Sequence, residues 1–223
     1  MWGNKKVSII TIKVIIIYSV YFNAHKVYKY IFERDIGDSM EDGIEKIKNM
    51  AIEKGANSVK IIPISDISVN DWVRQKCEFG CRQYGKRFAC PPYVQPPDET
   101  RKRLNEYSKA MLIEFTDLRE RGEWRQIQRN MAGLEREAFL CGLYRAFAYY
   151  AGTCRLCDVC PAESLENPSL FDKKKCVNRR IARPSMEGAG IDVFKTARNA
   201  GYQLDVVKEE NTCFKSFCLL LLE

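Results

Sequence analysis

The segment Cys154-Arg-Leu-Cys157-Asp-Val-Cys160-Pro161, followed by a fourth cysteine at Cys176, governs how the rest of the chain is read. Three cysteines spaced two apart cannot all point into one apolar core, on either a helix or a strand. They can close around one metal centre. Thiolates at C-x2-C-x2-C spacing with a distant fourth hold iron–sulfur clusters, whereas structural zinc more often uses two separated C-x2-C pairs. The match to the bacterial ferredoxin run is partial. Its last cysteine would fall at Ser164, and its proline would follow that residue rather than Cys160. The expected cofactor is a [4Fe–4S] cluster on Cys154, Cys157, Cys160 and Cys176. Zinc is the alternative, and free thiols or disulfides are the remaining reading.

A second cysteine set lies upstream: Cys77-Glu-Phe-Gly-Cys81, then Tyr84-Gly-Lys-Arg-Phe-Ala-Cys90-Pro-Pro-Tyr93. Glycines and a double proline describe an irregular ligand loop, with the prolines holding the chain extended after Cys90. Cys77, Cys81 and Cys90 are therefore expected to bind a second metal, so that one or two clusters are present. The fourth ligand is open between Cys213, Cys218, a non-cysteine side chain, a small molecule or nothing. The bland alternative is structural zinc or a set of free thiols.

The bulk composition agrees with a metal-binding domain. At 223 residues, with 46% hydrophobic and 29% charged residues, the chain is long enough to bury one core and too apolar to be disordered. Its ten cysteines are bunched, and no signal-peptide cleavage site follows an apolar run, which points to a reducing cytosol. Part of the net charge of +7 gathers around Cys176, in Lys173, Lys174, Lys175, Arg179, Arg180 and Arg183. Such cations would stabilise an anionic cluster or dock an acidic redox partner; a solvated basic loop is the plain alternative. No helix-turn-helix, aromatic RNA-binding motif or zinc-finger spacing accompanies them, so nucleic acid is not an expected partner.

Residues 1–39 read as a leader outside a single metal-binding domain over 40–223. Val7–Phe22 is an apolar run of sixteen residues interrupted by Lys13, short of the roughly 20 needed to span a bilayer. It reads as an extension before Met40, an extra strand or helix, or a marginal anchor. A membrane is not an expected partner unless residues 7–22 anchor the chain.

Within the domain, Ser39 and Asp42 form a capping-box-like pair for a helix over Met40 to about Lys54. Val59–Ile64 reads as a strand, with Pro63 placing it at a sheet edge. Asn70 is expected to cap a short helix over Asp71–Lys76. A further helix over Asp98–Tyr107 and a buried strand over Lys109–Phe115 follow. Ile127, Met131, Leu134, Ala138 and Cys141 recur at four-three-four-three spacing, predicting a helix from about Glu123 to Tyr150, ended by Gly152 at the cysteine loop. Cys141 lies on that stripe and is expected in the core. A helix over Ile191–Asn199, strands over Tyr202–Val207 and Thr212–Leu222, and a turn at Lys208–Asn211 complete the chain. The expected fold is α/β or α+β: a mixed sheet of about four strands, packed helices and cysteine-rich metal-binding loops at one end.

Some chemistries have no support. The single histidine, His25, lies in the leader. There is no phosphate-binding Walker loop, G-x-S-x-G or dinucleotide fingerprint; Gly188 and Gly190 fall short of one. The C-x3-C-x2-C triple of radical-SAM enzymes is also missing, since Cys90 lies nine residues beyond Cys81.

Taken together, KCEFGCRQYGKRFACPPY, AGTCRLCDVCP and RPSMEGAGIDV resemble, in order, a family of predicted metal-binding proteins of unknown function found in anaerobic archaea and bacteria. The resemblance runs from about Met40 to the C-terminus. It implies metal binding by Cys77, Cys81 and Cys90 and by Cys154, Cys157, Cys160 and Cys176, and supplies no reaction. The expected function is a cytosolic iron–sulfur protein that transfers electrons or presents a cluster to a redox partner. One alternative is an enzyme whose Cys77/Cys81/Cys90 cluster has an open iron for a small anionic substrate, bound with help from Arg82, Lys86 and Arg87. Another is a zinc-stabilised interaction module. Arg183 and Glu187 are candidates for contacts to the ligands or a substrate, against a surface turn with a local ion pair.

Overall fold

A computed structural model describes residues 40–206 and 214–223; the leader over 1–39, its Ser39 cap, the turn at 208–211 and Cys213 lie outside the described residues. The chain runs α1 (Met40–Glu53), β1 (Ser58–Pro63), α2 (Asp71–Gly80), α3 (Pro97–Leu104), β2 (Lys109–Thr116), α4 (Arg121–Leu140), β3 (Phe147–Tyr149), α5 (Val193–Asn199) and β4 (Lys215–Leu221). The strands form one sheet of order β1-β2-β4-β3. Every pairing is antiparallel. This is the expected α+β domain with four strands, though its sheet is antiparallel rather than mixed.

The two central strands explain the layering. Lys109–Thr116 and Lys215–Leu221 are almost continuously buried, so both sheet faces are covered. On one face Met111, Ile113, Cys218 and Leu220 meet Ile44, Ile47 and Ala51 of α1 and Ile127, Met131, Leu134 and Ala138 of α4. On the other, Leu112, Phe217, Leu219 and Leu221 meet Leu104, Met186, Ile191, Ala197 and Tyr202. Each fully buried Leu, Ile or Met contributes about 1.5–3 kcal/mol of transfer free energy, so these two faces account for most of the driving force. Pro63 closes the edge strand β1, where its missing N–H costs no ladder bond. Cys141 is buried in the first core, as its place on the α4 stripe implies.

Four expectations about the elements are corrected. The long helix does not reach Tyr150. It stops at Leu140, because Gly142 takes a φ of +98° that ends the α4 helix. The apolar residues beyond it belong to β3, which pairs with β4. α2 runs on to Gly80, so Cys77 is helical rather than in a loop. Asn70 begins α2 without a side-chain cap bond and donates instead to the Ser68 hydroxyl. No strand forms over Tyr202–Val206; Tyr202 and Leu204 pack into the second core as irregular chain.

Candidate metal centre

β3 delivers the chain to the cysteine loop. Tyr150 forms a parallel bridge with Ser185, and the Tyr150 N–H donates to the Pro184 carbonyl at 2.9 Å. This ties the Arg183–Gly190 motif to the start of the loop. Gly152 then turns the chain at a φ of +60°. From there the loop is held by α4. Gln128, almost wholly buried, donates from Nε2 to the Thr153 carbonyl at 2.9 Å and accepts the Arg155 N–H at 2.8 Å. Arg121 donates to the carbonyls of Cys157 and Asp158, and Arg125 to that of Arg155. These residues lie in the first two turns of α4. The site therefore meets the flank and N-terminal half of the helix, and the expected clash with a negative C-terminal end does not arise.

Cys154, Cys157, Cys160 and Cys176 line one tight cavity, with Arg87, Phe88, Ala89, Asn178 and Ala182 completing its wall. The sulfurs share a further property: each has an N–H donor. The backbone of Leu156 donates to Cys154, and that of Asn178 to Cys176. The Asn178 side chain donates to Cys157 Sγ at 2.9 Å. The Glu163 N–H donates to Cys160 in a capping box whose return bond runs from the Cys160 N–H to Glu163 Oε1. Donors aimed at sulfur favour the anionic thiolate. Burial opposes it. The Cys154 thiol is pushed up to about 12, chiefly by burial and then by neighbouring Cys90, Cys160 and Cys176. A bound cation would supply the missing countercharge.

The donors spread over the cavity. Among the described residues no three His, Cys, Asp or Glu side chains come together closely enough to hold a single ion. Cys160 and Cys176 are buried, and Cys154 and Cys157 partly so. Phe88, Tyr93 and Phe171 pack mutually beside the cysteines, with ring centroids 5.1–5.6 Å apart.

The upstream set is arranged differently. Cys77 sits in the last turn of α2, Cys81 just past it and exposed, and Cys90 buried. Cys77 and Cys81 line a large cavity of about 1080 Å³ with Trp72, Lys76, Trp124 and Glu187. Cys90 touches Thr153 Oγ1 at 3.2 Å and accepts the Cys154 N–H, so it stands against the other cysteine loop. Burial pushes the Cys77 thiol up to about 11, with Cys81, Glu187 and Cys90 adding to it. Cys218 is buried on β4, where its sulfur accepts the Ala151 N–H at 3.3 Å.

The charged candidates have specific places. Arg183 pairs with Glu135 of α4, which also accepts the Ala148 N–H at 2.8 Å. That pair is long-range and largely buried, and it locks the motif loop to α4 and β3. Arg87 pairs with Glu163 at 2.8 Å, linking the two cysteine loops. Lys76 and Lys215 line the large cavity, which Arg82, Lys86 and Arg87 do not. Lys173, Lys174 and Lys175 form the short turn that leads into Cys176, and Lys173 acts on its thiol. Gln128, Asn178 and Glu163 were not legible as site residues in the sequence, because nothing marks a polar residue as one that clamps a distant loop.

A model of the family described as "Predicted metal-binding protein (DUF2284)" matches residues 60–222. No curated protein and no solved structure matches the chain significantly.

Proposed function

The chain belongs to this family of predicted metal-binding proteins, and on that premise we propose that it is a cytosolic iron–sulfur protein that transfers electrons or presents its cluster to a redox partner. One observation carries the reading: four cysteine sulfurs line a single cavity and each receives an N–H donor. Ligands spread around a cavity suit a group with several metal corners. Thiolates on one tetrahedral zinc would stand only roughly 3.8 Å apart, given a Zn–S bond of about 2.3 Å. Cys154, Cys157, Cys160 and Cys176 would hold a [4Fe–4S] cluster, which supplies one-electron chemistry when bound.

The chain's own groups have definable work around it. Gln128, Arg121 and Arg125 fix the loop on α4 and so fix the separation of its sulfurs. Asn178 and the backbone amides stabilise thiolate character. The aromatic cluster and Leu156 keep water from the cysteines. The lysines before Cys176 present positive charge to an acidic partner.

Among the described residues no helix is long and apolar enough to cross a membrane. The large cavity beside Cys77 and Cys81 favours a second reading, an enzyme in which the upstream centre binds a small molecule. Iron, sulfide and zinc per chain, measured on anaerobically purified protein, test the first reading. About four irons with matching sulfide are expected for each cluster; zinc without sulfide overturns it.

A further inference from the structure

Glu187 carries a carboxyl that the scaffold leaves half used. The Ser185 hydroxyl and the N–H groups of Gly152 and of Glu187 itself hold one side of it. Oε2 is buried and has no hydrogen-bond partner. The motif's own cation, Arg183, is turned to Glu135. Arg74 of α2 spends its guanidinium on the carbonyls of Gln95, at 2.9 Å, and Gly188, at 3.0 Å. A buried carboxyl with an unpartnered oxygen is costly, and burial pushes its pKa above the ordinary carboxylate range. Such a group persists where a ligand completes it.

Its neighbours identify the ligand. Glu187 lines the same 1080 Å³ cavity as Cys77 and Cys81. The turn that carries it is pressed against the Cys90 loop. A Cβ added to Gly188 would meet Pro91 Cδ at 3.4 Å, and one added to Gly190 would meet Pro97 Cγ at 2.7 Å. The charge of Glu187 is felt at Cys77 and at Cys90. Three thiols and one carboxyl thus border the region where α2 ends, the double-proline loop begins and the Arg183–Gly190 motif turns, without standing close enough together, as they are placed, to hold a single ion.

We propose that Cys77, Cys81, Cys90 and Glu187 form a second metal centre, with the Glu187 carboxylate as its fourth donor at the edge of the large cavity. The donor set suits iron or zinc, since both accept thiolates and zinc sites also take carboxylates. Cys81, exposed just past the end of α2, is the donor that loading draws inward. A carboxylate is a harder ligand than a thiolate, so Glu187 is the one a small molecule entering from the cavity displaces. This deepens the second reading above and rests on metal binding by this chain.

The test uses the full chain purified anaerobically, with iron, zinc and sulfide counted per chain and X-ray absorption at the metal edge. In Cys157→Ser the metal that remains is expected to show an oxygen neighbour beside sulfur. Adding Glu187→Gln, which keeps the shape of the side chain, should reduce that metal at least tenfold. Cys81→Ser, at an exposed position that carries no fold, should remove the same metal. All-sulfur coordination in Cys157→Ser overturns the proposal, as does metal unchanged by Glu187→Gln or by Cys81→Ser. Metal kept in Cys157→Ser and lost in Glu187→Gln supports it even if the Cys154 set binds nothing, so the two centres are judged separately.

Discussion

The two cysteine sets adjoin each other and are built on opposite plans. The Cys154 set is enclosed, its loop is clamped by Gln128 and two arginines of α4, and every sulfur has an N–H donor. The Cys77 set straddles a helix end, includes an exposed thiol and borders a large cavity with an orphaned carboxyl oxygen. Enclosure with satisfied sulfurs suits a resident group. Exposure with an unsatisfied donor suits a centre that meets something from outside. Cys90, bonded to Thr153 and to the Cys154 amide, joins the two.

The comparison breaks most visibly if the sets are not independent. Cys157→Ser should remove essentially all the iron of the enclosed centre, about four per chain, and leave the metal dependent on Cys81. Metal analysis that finds both lost together would show one shared site.

A second prediction separates scaffold from site. Glu135→Ala removes the carboxylate that Arg183 and the Ala148 N–H share, at a largely buried position. Breaking such a pair costs about 3–5 kcal/mol. Urea unfolding should show that loss, while any protein still folded keeps both metals. Unchanged stability would mean that the pair does not hold the motif loop in place.

The donor pattern makes a finer distinction. Asn178→Ala deletes the side-chain donor to Cys157 and keeps the backbone one to Cys176. Redox titration should place the enclosed centre's potential lower by roughly tens of millivolts. A signal that depends on Cys81 should not move. An equal shift in both would erase the contrast between them.

The smallest effect is expected at Cys141. Its thiol is buried among apolar residues of the core that includes α1 and α4. Cys141→Ala should leave metal content unchanged and cost about 1 kcal/mol of stability. Loss of metal would mean that a metal ligand had been mistaken for a core residue.

Much of this was legible beforehand because the signals are local. Cysteine spacing needs only a few residues of loop to bring thiols together. The apolar run Ala110–Phe115 had to be a buried strand, and the Ile127–Ala138 stripe had to be a helix. The end of that helix was misread for an equally physical reason. Leu143, Phe147 and Tyr150 continue an apolar pattern that a helix or a strand can satisfy, and only pairing with β4 decides between them. The strand expected over Tyr202–Val207 failed likewise, since Tyr202 and Leu204 are buried without ladder partners among the described residues.

By itself, then, the sequence determined that this is an α+β domain of a predicted metal-binding family that carries two runs of closely spaced cysteines. Spacing of reactive residues and periodicity of apolar ones act over one or two turns, so they survive without the fold. Only the tertiary structure decided that Arg183 pairs with Glu135, that Asn178 and Gln128 hold the cysteine loop, and that Glu187 Oε2 is left without a hydrogen-bond partner beside Cys77. Those assignments rest on contacts between segments far apart in the chain, and a polar side chain carries no local mark of the partner that burial will give it.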